Sequence, residues 1–197
     1  MTLNEFSYFY PEKPTLISID QPLFEMVNNS PSWIAEKKYN GCRLQLHYLN
    51  GQFQFYGRHG VHLKFEAGKE LKDSLDKLNL KGYCLFDGEL RNNKVKDVKQ
   101  KIIFYDVFIW ENELLWKMPF RQRRDILNTL FEIENEPIGL TKQFDCDFVK
   151  LFHGITDDEI EGLVIKNLQG KLDLGKKKSN DSAWMVKIRR PHKNYKF

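Results

Sequence analysis

Residues 38–43 read KYNGCR, and the rest of the chain is organised around this stretch. It follows the apolar residues at 33–35 and leads into a segment in which apolar and polar residues alternate. A lysine becomes a nucleophile where partial desolvation or neighbouring cations lower its pKa, and Lys37, Lys38 and Arg43 bring cations together here. Gly41 allows a ligand to approach the backbone closely. Taken alone, the pattern is more typical of solvated lysines at the edge of a strand.

The composition predicts a folded domain without a membrane span. The chain has 197 residues, of which 41% are hydrophobic and 14% aromatic, enough for one domain with a core. No run is long enough to cross a membrane and the N-terminus lacks a signal pattern, so we expect a cytoplasmic protein with no membrane partner. Cys42, Cys84 and Cys146 have no zinc-binding spacing, which predicts reduced thiols.

Positive charge is concentrated near the C-terminus. Residues 171–197 carry nine basic and two acidic residues, which leaves 22 basic and 25 acidic residues in the remainder of the chain. A basic stretch beside a nearly neutral body suits a polyanion such as a nucleic acid. The alternative is a solubilising tail.

The clearest local structure is a β-hairpin over residues 43–57. Apolar and polar residues alternate on both sides of Asn50-Gly51, a dipeptide typical of a two-residue hairpin turn. Because the hairpin directly follows Lys38, we expect this lysine near the base of an antiparallel sheet. The sequence GRHG at 57–60 closes the hairpin, and an arginine between glycines suits a phosphate or sugar as well as an ordinary surface turn.

Helices are predicted at four places. An otherwise irregular, proline-containing N-terminal segment holds one short helix near 22–28. Leucines at helical spacing predict an amphipathic helix within 66–79, and Pro119 is well placed to begin another. The sequence TDDE at 156–159 is a capping-box pattern and predicts the start of a short helix.

Two predicted strands carry candidate ligand-binding groups. Residues 83–86 form a strand that delivers the carboxylates of 87–89 at its end, which suits Mg²⁺ or ribose hydroxyls as well as an ordinary turn. Residues 102–110 are a nearly continuous apolar run, typical of a buried strand. Tyr105 in this run is either a core residue or a ring that stacks on a purine.

Two further strands are predicted at 161–166 and 184–189. In a flat strand Glu161 and Lys166 point to opposite faces, and a glycine bulge at Gly162 would bring them onto the same one. Lys187 and Arg189 alternate onto one face, where both can reach the same phosphate.

Together these segments resemble the motifs of the covalent nucleotidyltransferases, which comprise ATP-dependent DNA ligases, RNA ligases and mRNA capping enzymes. The resemblance covers roughly residues 33–190. The motifs stand in the order of the superfamily: KYNGCR at 38–43, FDGE at 86–89, FYD at 104–106, EGLVIK at 161–166 and VKIR at 186–189. The sequence PFRQRRDIL at 119–127 is similar to an element of DNA ligases, and Glu161-Gly162 replaces the Asp-Gly usual in capping enzymes. The first feature favours a DNA ligase over the other two classes, and the second argues against a capping enzyme.

The resemblance implies an α+β domain. Antiparallel sheets flanked by helices would form a nucleotide cleft, as in the ATP-grasp-like nucleotidyltransferase domain of DNA ligases, without an OB-fold domain. We expect residues 1–32 to be a leader that packs on the domain, residues 33–190 to be the adenylation domain, and residues 191–197 to be a basic tail.

The resemblance also implies a reaction. Lys38 would attack ATP to form a covalent AMP-lysine, AMP would pass to a 5′-phosphate, and the nick would be sealed. The implied cofactors are ATP and Mg²⁺, and the implied partner is a nicked DNA duplex or an RNA-containing duplex.

Site residues follow from the resemblance by position. Glu36 matches the residue that reads adenine, Glu89 the acid that contacts ribose, and Tyr105 the aromatic ring that stacks on the base. Glu161 and Asp87 are the expected metal-binding residues. The other expected nucleotide-binding residues are the cations Lys37, Arg43, Arg58, Lys166, Lys187 and Arg189.

The sequence departs from the superfamily pattern in three ways. Asn40 replaces the usual aspartate, which puts end sealing in doubt more than lysine adenylation, and Arg189 replaces a lysine. The chain ends about eight residues after the last motif, where the superfamily normally adds an OB fold. A partner or a further domain would then supply it, unless the chain is a minimal enzyme. The alternative functions are an RNA ligase and a nucleic-acid-end-binding domain that does not seal.

Overall fold

The computed structural model describes residues 8–63, 65–91, 100–173 and 180–191. Its elements in chain order are β1 (Lys13–Leu16), α1 (Pro22–Asn28), β2 (Trp33–Tyr39), β3 (Cys42–Leu49), β4 (Gln52–Gly57), α2 (Lys69–Asp76), β5 (Tyr83–Arg91), β6 (Lys101–Trp110), β7 (Glu113–Leu114), α3 (Phe120–Leu130), β8 (Ile138–Leu140), β9 (Gln143–Phe144), α4 (Phe148–His153), β10 (Ile160–Asn167) and β11 (Asp181–Arg189).

The strands form two sheets. The first sheet has the order β1-β11-β10-β2-β9, and the second has the order β4-β3-β5-β6-β7, with β8 also paired to β6. Neighbouring strands are antiparallel, except that β1 runs parallel to β11 and β8 runs parallel to β6. The described residues contain no OB-fold domain, and no helix among them is long and apolar enough to cross a membrane.

The predicted hairpin is present as β3 and β4. Its turn residues Asn50 and Gly51 have φ angles of 50° and 83°, the left-handed conformations that a two-residue hairpin turn requires. Leu46 faces Phe55 across the pair, so the apolar face is continuous on both strands. The hairpin therefore forms the first two antiparallel strands of the second sheet and follows β2 directly in the chain.

The back of the first sheet is a hydrophobic core. Alternate residues of its three central strands, among them Ala35, Leu163 and Val186, pack with Phe24 of α1 and Phe148 of α4. Because side chains alternate across a strand, the residues between these core positions face the other way, toward the second sheet.

The back of the second sheet is a separate core that α2 and α3 cover. Leu71 and Leu75 of α2 are buried against it, which confirms the predicted amphipathic helix. Leu127 of α3 packs with Phe86 and Phe104 in the same cluster. Since helices cover both outer faces, the polar inner faces of the sheets meet.

Gly162 lies at a β-bulge, which the sequence left open. The register of β10 against β2 shifts between Ile160 and Gly162, and Gly162 has a φ angle of 151°. A Cβ atom at this position would collide with the carbonyl oxygen of Ile188, so only glycine fits. The bulge brings Glu161 onto the same face as Lys166.

The predicted helix at 156–159 was wrong. The segment at 156–159 is not helical, because the carboxylate of Asp157 accepts a hydrogen bond from the amide of Glu159 in a tight turn. The Arg190 guanidinium also binds the carbonyl oxygens of Ile155, Asp157 and Ile160, which are therefore not available to a helix. The helix of this region is α4, which lies before the predicted position.

One strand extends further than the sequence indicated, and another was not predicted. β5 continues through Asp87, Gly88 and Glu89, so these residues lie within a strand and not at its end. The expected leader at 1–32 contains β1 in addition to α1, and β1 forms an edge of the first sheet. The basic stretch at 175–179 and residues 192–197 of the expected tail lie outside the described residues.

Candidate active site

A cleft of about 530 Å³ lies between the inner faces of the two sheets. All twelve residues that the sequence singled out line it: Glu36, Lys37, Lys38, Arg43, Arg58, Asp87, Glu89, Tyr105, Glu161, Lys166, Lys187 and Arg189. They come from six strands and from the loop after β4. The sequence thus predicted which residues come together, while their individual roles remain predictions.

Lys38 points into the cleft and forms an ion pair with Glu161. Its Nζ atom contacts Glu161 Oε2, and Arg189 Nη2 lies 3.6 Å from the same oxygen. Gly162 faces both Lys38 on β2 and Arg189 on β11 in the sheet register. The bulge therefore inserts one carboxylate between two cations that belong to the strands on either side.

Glu89 faces Lys38 from the second sheet. Burial raises the pKa of Glu89 to about 7, and the carboxylates of Glu161 and Asp87 add to this shift, while Lys38 and Arg43 oppose it. A carboxyl group with this pKa gains or loses its proton near neutral pH. The cleft therefore holds one acid whose charge changes within the physiological range.

Gly41 packs closely against β5 of the second sheet and also lines the cleft. A Cβ atom on this residue would lie 2.7 Å from Glu89 Cγ and 2.7 Å from the carbonyl oxygen of Leu90. The approach of a ligand to Gly41 remains a prediction. Only glycine lets β5 come this close to the turn between β2 and β3.

Arg43 and Asp87 form a bidentate pair across β3 and β5. Arg43 Nε donates to Asp87 Oδ1 at 3.0 Å, and Arg43 Nη2 donates to Asp87 Oδ2 at 2.5 Å. Asp87 lines the cleft but is only 1% exposed, so its carboxylate has almost no contact with solvent. Both oxygens of Asp87 already bind Arg43. The metal-binding role expected for Asp87 remains a prediction.

Glu36 is buried at the opposite end of the cleft among three donors. Lys166 Nζ lies 2.7 Å from Glu36 Oε2, and Gln143 Nε2 donates to Glu36 Oε1 at 2.9 Å. Arg124 Nη1 lies 3.4 Å from Oε1. Lys166 Nζ also donates to the carbonyl oxygen of Tyr105 at 3.1 Å and lies 5.1 Å from the centre of its ring. Lys166, one of the cations expected to bind the nucleotide, thus lies between Glu36 and the aromatic ring.

The sequence prediction missed Arg123, Arg124 and Gln143. Arg123 forms a bidentate pair with Asp106 at 2.8 and 2.9 Å and also donates to the carbonyl oxygen of Gly170. A signal for the two arginines was available, because they occupy the i+3 and i+4 positions after Phe120, on the apolar stripe of α3. Gln143 gave no signal, since it stands in a two-residue strand.

Lys187 and Arg189 face the cleft together, as their alternation predicted. Lys187 lies opposite Val164 in the register of β10 and β11. Burial, together with the charges of Arg189 and Lys38, lowers the pKa of Lys187 to about 8. Within the described ranges no ion pair joins Lys187, so this cation is available to an anionic ligand.

Lys37 and Arg58 lie at the margins of the cleft. Lys37 alternates away from Lys38, and its Nζ atom lies 2.7 Å from Glu134 Oε1. Arg58 is exposed in the loop after β4, and its carbonyl oxygen accepts a hydrogen bond from the Tyr8 hydroxyl at 3.3 Å. The nucleotide-binding roles expected for both residues remain predictions.

Two facing sheets, with a lysine and an acid on one wall and an acid and an aromatic ring on the other, define a nucleotidyltransferase domain. The chain belongs to the ATP-dependent DNA ligase domain family, whose model matches residues 90–188. This confirms the family that the motifs indicated.

Relatives carry the same family name. The chain is 29% identical over 157 residues to a DNA ligase of Methanococcus vannielii, an alignment that covers 68% of this chain and 27% of that protein. It is 23% identical over 191 residues to DNA ligase 3 of Dictyostelium discoideum, with 84% and 16% covered. It is 24% identical over 178 residues to the SPbeta prophage-derived DNA ligase-like protein LigB of Bacillus subtilis, with 84% and 63% covered. The chain thus spans only part of each relative.

Solved structures share the fold. Mycobacterial DNA ligase D complexed with ATP and MES matches with a TM-score of 0.70 at 17% identity, covering 94% of this chain and 61% of that one. The bacteriophage T7 DNA ligase complex with ATP matches with a TM-score of 0.58 at 14% identity, with 91% and 68% covered. An archaeal ATP-dependent RNA ligase matches with a TM-score of 0.56 at 13% identity, with 91% and 48% covered. The predicted α+β fold of two sheets around a cleft is confirmed.

Proposed function

We propose that this chain is the adenylation domain of an ATP-dependent DNA ligase and that Lys38 is its nucleophile. The observation that carries the proposal is the position of Lys38 Nζ in the cleft, in contact with Glu161 and on the same sheet face as Lys187 and Arg189. A phosphate that enters this space meets one nucleophile and two cations. Phosphoryl transfer depends mainly on such positioned charges, so the arrangement fits the reaction.

The two ends of the cleft fit the two ends of ATP. We assign Tyr105 and Glu36 to the adenine ring, because an aromatic face and a buried acceptor lie side by side there. Glu89 is assigned to the ribose hydroxyls. The α-phosphate then lies between Lys38 and Lys187, because Lys187 has no ion pair among the described residues and can bind an anion.

In the first step Nζ of Lys38, as the free amine, forms a bond to the α-phosphorus of ATP. The bond between that phosphorus and the oxygen bridging to the β-phosphate breaks, and pyrophosphate leaves with this electron pair. Glu161 Oε2 is the acceptor in contact with Nζ, and we assign it the proton that the ammonium group must lose. The product is a phosphoramidate between Lys38 and AMP.

The acidic residues also fit a magnesium ion. Among the described residues no group of three or more His, Cys, Asp or Glu side chains forms a metal site. Mg²⁺ typically binds one or two carboxylates together with substrate phosphates, and Glu161 beside Lys38 supplies such a carboxylate. When bound, the ion offsets the negative charge of the phosphates.

The later steps belong to the same proposal. An oxygen of a DNA 5′-phosphate attacks the AMP phosphorus and releases Lys38, and a 3′-hydroxyl then displaces AMP and seals the nick. Arg58 is exposed beside the cleft and is assigned to the 5′-phosphate. The domain proposed for these steps is residues 33–190, with β1 of the preceding segment as an edge strand.

The proposal is tested by intact mass spectrometry after incubation with Mg²⁺ and either ATP or GTP. We expect the mass of one AMP to be added with ATP, and to be absent in the Lys38→Met variant. The control is Lys69→Met, because Lys69 is exposed on α2 and does not line the cleft. Strong labelling by GTP without labelling by ATP, or labelling that survives Lys38→Met, contradicts the proposal.

The second candidate is RNA ligation, which the fold shared with the archaeal RNA ligase favours. Adenylated protein is offered nicked duplexes with DNA or RNA on either side of the nick. Sealing of DNA alone supports the first candidate, and sealing of RNA alone supports the second. A protein that binds ends without accepting AMP is the alternative that Asn40 suggested, and absence of labelling with both nucleotides supports it.

A further inference from the structure

Glu134 binds both neighbours of Lys38 from outside the cleft. Its Oε1 atom accepts a hydrogen bond from Lys37 Nζ at 2.7 Å and another from the Tyr39 hydroxyl at 2.6 Å. Lys37 and Tyr39 flank Lys38 in β2, and both point to the face opposite to that of Lys38. One carboxylate oxygen thus holds the strand on both sides of the proposed nucleophile.

Glu134 is itself anchored to the second sheet. Its amide donates to the carbonyl oxygen of Leu140 at 2.8 Å, and its carbonyl oxygen accepts a hydrogen bond from Lys101 Nζ at 3.2 Å. Leu140 lies in β8 and Lys101 in β6, which pair with each other in that sheet. The contact from Glu134 to β2 therefore crosses from the second sheet to the first.

The contact between Glu134 and β2 affects how far Lys38 lies from a nucleotide bound to the second sheet. Lys38 belongs to the first sheet, whereas Glu89 and Tyr105, which we assign to the ribose and the base, belong to the second. A nucleotide held by the second sheet can react only if β2 brings Lys38 to the right place. Small displacements of a reacting group lower the rate steeply.

We propose that Glu134 is a positioning residue that fixes the nucleophile strand relative to the nucleotide-binding sheet. The inference rests on the proposed function, because it concerns the placement of Lys38 for attack on ATP. Glu134 touches neither the cleft-facing side of Lys38 nor the nucleotide site, and it acts through Lys37 and Tyr39. Glu134 therefore supports β2 from outside the cleft.

The electrostatics of the cluster agree with this geometry. Partial burial raises the pKa of Glu134, but the hydrogen bonds from Lys37 and Tyr39 and the charge of Lys37 outweigh it, so the pKa lies below its usual value. Burial and the hydrogen bond to Glu134 raise the pKa of Tyr39. The carboxylate is therefore ionised, and the phenol keeps the proton that it donates. Hydrogen bonds to a charged group are about twice as strong as neutral ones.

The test measures single-turnover adenylation against ATP concentration for Glu134→Ala. We expect the maximal rate constant to fall about tenfold, while the ATP concentration at half-maximal rate stays within about twofold, because nucleotide contacts are untouched. Glu134→Gln keeps an acceptor oxygen and is expected to recover most of the loss. Tyr39→Phe removes one of the two hydrogen bonds and is expected to give a smaller loss.

Glu136→Ala is the matched control. Glu136 lies two residues from Glu134, and its side chain forms an ion pair with Lys101, which also binds the carbonyl oxygen of Glu134. The substitution removes this ion pair. Among the described residues no hydrogen bond or ion pair joins Glu136 to β2. An unchanged rate constant in Glu134→Ala, or an equal loss in Glu136→Ala, overturns the inference. If Glu134→Ala does not fold, Tyr39→Phe decides, and a rate constant equal to that of the unmodified protein overturns the inference. Failure of the unmodified protein to accept AMP contradicts the proposed function, which is a separate result.

Discussion

Arg124 Nη1 lies 3.4 Å from Glu36 Oε1. This contact joins α3, which packs on the second sheet, to β2, which carries the proposed nucleophile. Both side chains are buried, with exposed fractions of 4% and 2%. Arg124 also donates to the carbonyl oxygen of Thr141 at 2.7 Å and to Asn128 Oδ1 at 3.0 Å. Its guanidinium therefore connects α3, β2 and the segment that leads into β9.

We expect Arg124→Met to lower the free energy of unfolding by about 2 kcal/mol, because a buried carboxylate and a buried carbonyl lose a donor. Lys166 and Gln143 still bind Glu36, which limits the loss. The measurement is urea denaturation. Arg121→Met on the exposed side of the same helix is the control and should change stability by less than about 0.5 kcal/mol. Equal effects of the two substitutions would show that the buried pair contributes nothing.

Lys187 predicts a pH dependence of ATP binding. Its pKa of about 8 means that it is mostly charged at pH 7 and mostly neutral at pH 9. A neutral amine attracts phosphate less, so the affinity for ATP should fall as the pH rises through 8, by up to about tenfold between pH 7 and 9.

Lys187→Arg keeps its charge over this range and should flatten the profile. Equilibrium titration with ATP at a series of pH values provides the measurement. Lys69→Arg is the control, because Lys69 lies away from the cleft. The same profile in Lys187→Arg as in the unmodified protein would assign the pH dependence to another group.

Glu89 predicts a second pH effect, on stability. Burial raises the pKa of this carboxyl group to about 7, so the folded protein holds a proton that the unfolded chain releases near its ordinary pKa of about 4.5. Stability should therefore decrease as the pH rises from about 4.5 to 7.

Glu89→Gln removes this titration and should become more stable, relative to the unmodified protein, as the pH rises from 5 to 8. The relative gain should be on the order of 1–2 kcal/mol after allowance for solvent screening. Chemical denaturation at the two pH values measures it. A constant difference between the two proteins across this range would contradict the shifted pKa.

Gly162→Ala should abolish the bulge that presents Glu161. The new Cβ atom would collide with the carbonyl oxygen of Ile188, and the φ angle of 151° is unfavourable for alanine. We expect a loss of about 2–3 kcal/mol of stability together with loss of AMP transfer to Lys38.

Gly51→Ala is the matched control for this substitution. Gly51 also has a positive φ angle, 83°, but a Cβ atom there meets nothing within 4 Å. We expect a cost of about 1 kcal/mol and full adenylation. Similar behaviour of the two variants would mean that backbone strain, and not the bulge, explains the result for Gly162.

The parts of the site that the sequence predicted are those governed by alternation along a strand. Glu36 and Lys38, and likewise Lys187 and Arg189, reach the cleft because residues two apart share a face. The bulge at Gly162 was also predictable, since without it Glu161 and Lys166 would point to opposite faces. These rules act within a single strand and need no knowledge of its neighbours.

What the sequence did not predict depends on contacts between distant segments. Gln143 reaches Glu36 only because β9 pairs with β2, and nothing around Gln143 indicates this. The capping-box pattern at 156–159 was overridden by Arg190, which follows it by thirty residues or more. β1 begins with Lys13 and Pro14 and was predicted as irregular, but proline is tolerated at the edge of a sheet.

The order of the strands has a consequence for the synthesis of the chain. The second sheet is built from residues 42–140, whereas the first is assembled from segments on either side of that range, and its central strand β10 begins only at Ile160. Pairings between segments so far apart in sequence form slowly. A nascent chain that has emerged to residue 150 therefore has every strand of the second sheet but cannot yet bring Glu161 to Lys38. The sheet to which we assign the sugar and base is therefore complete before the sheet that carries Lys38.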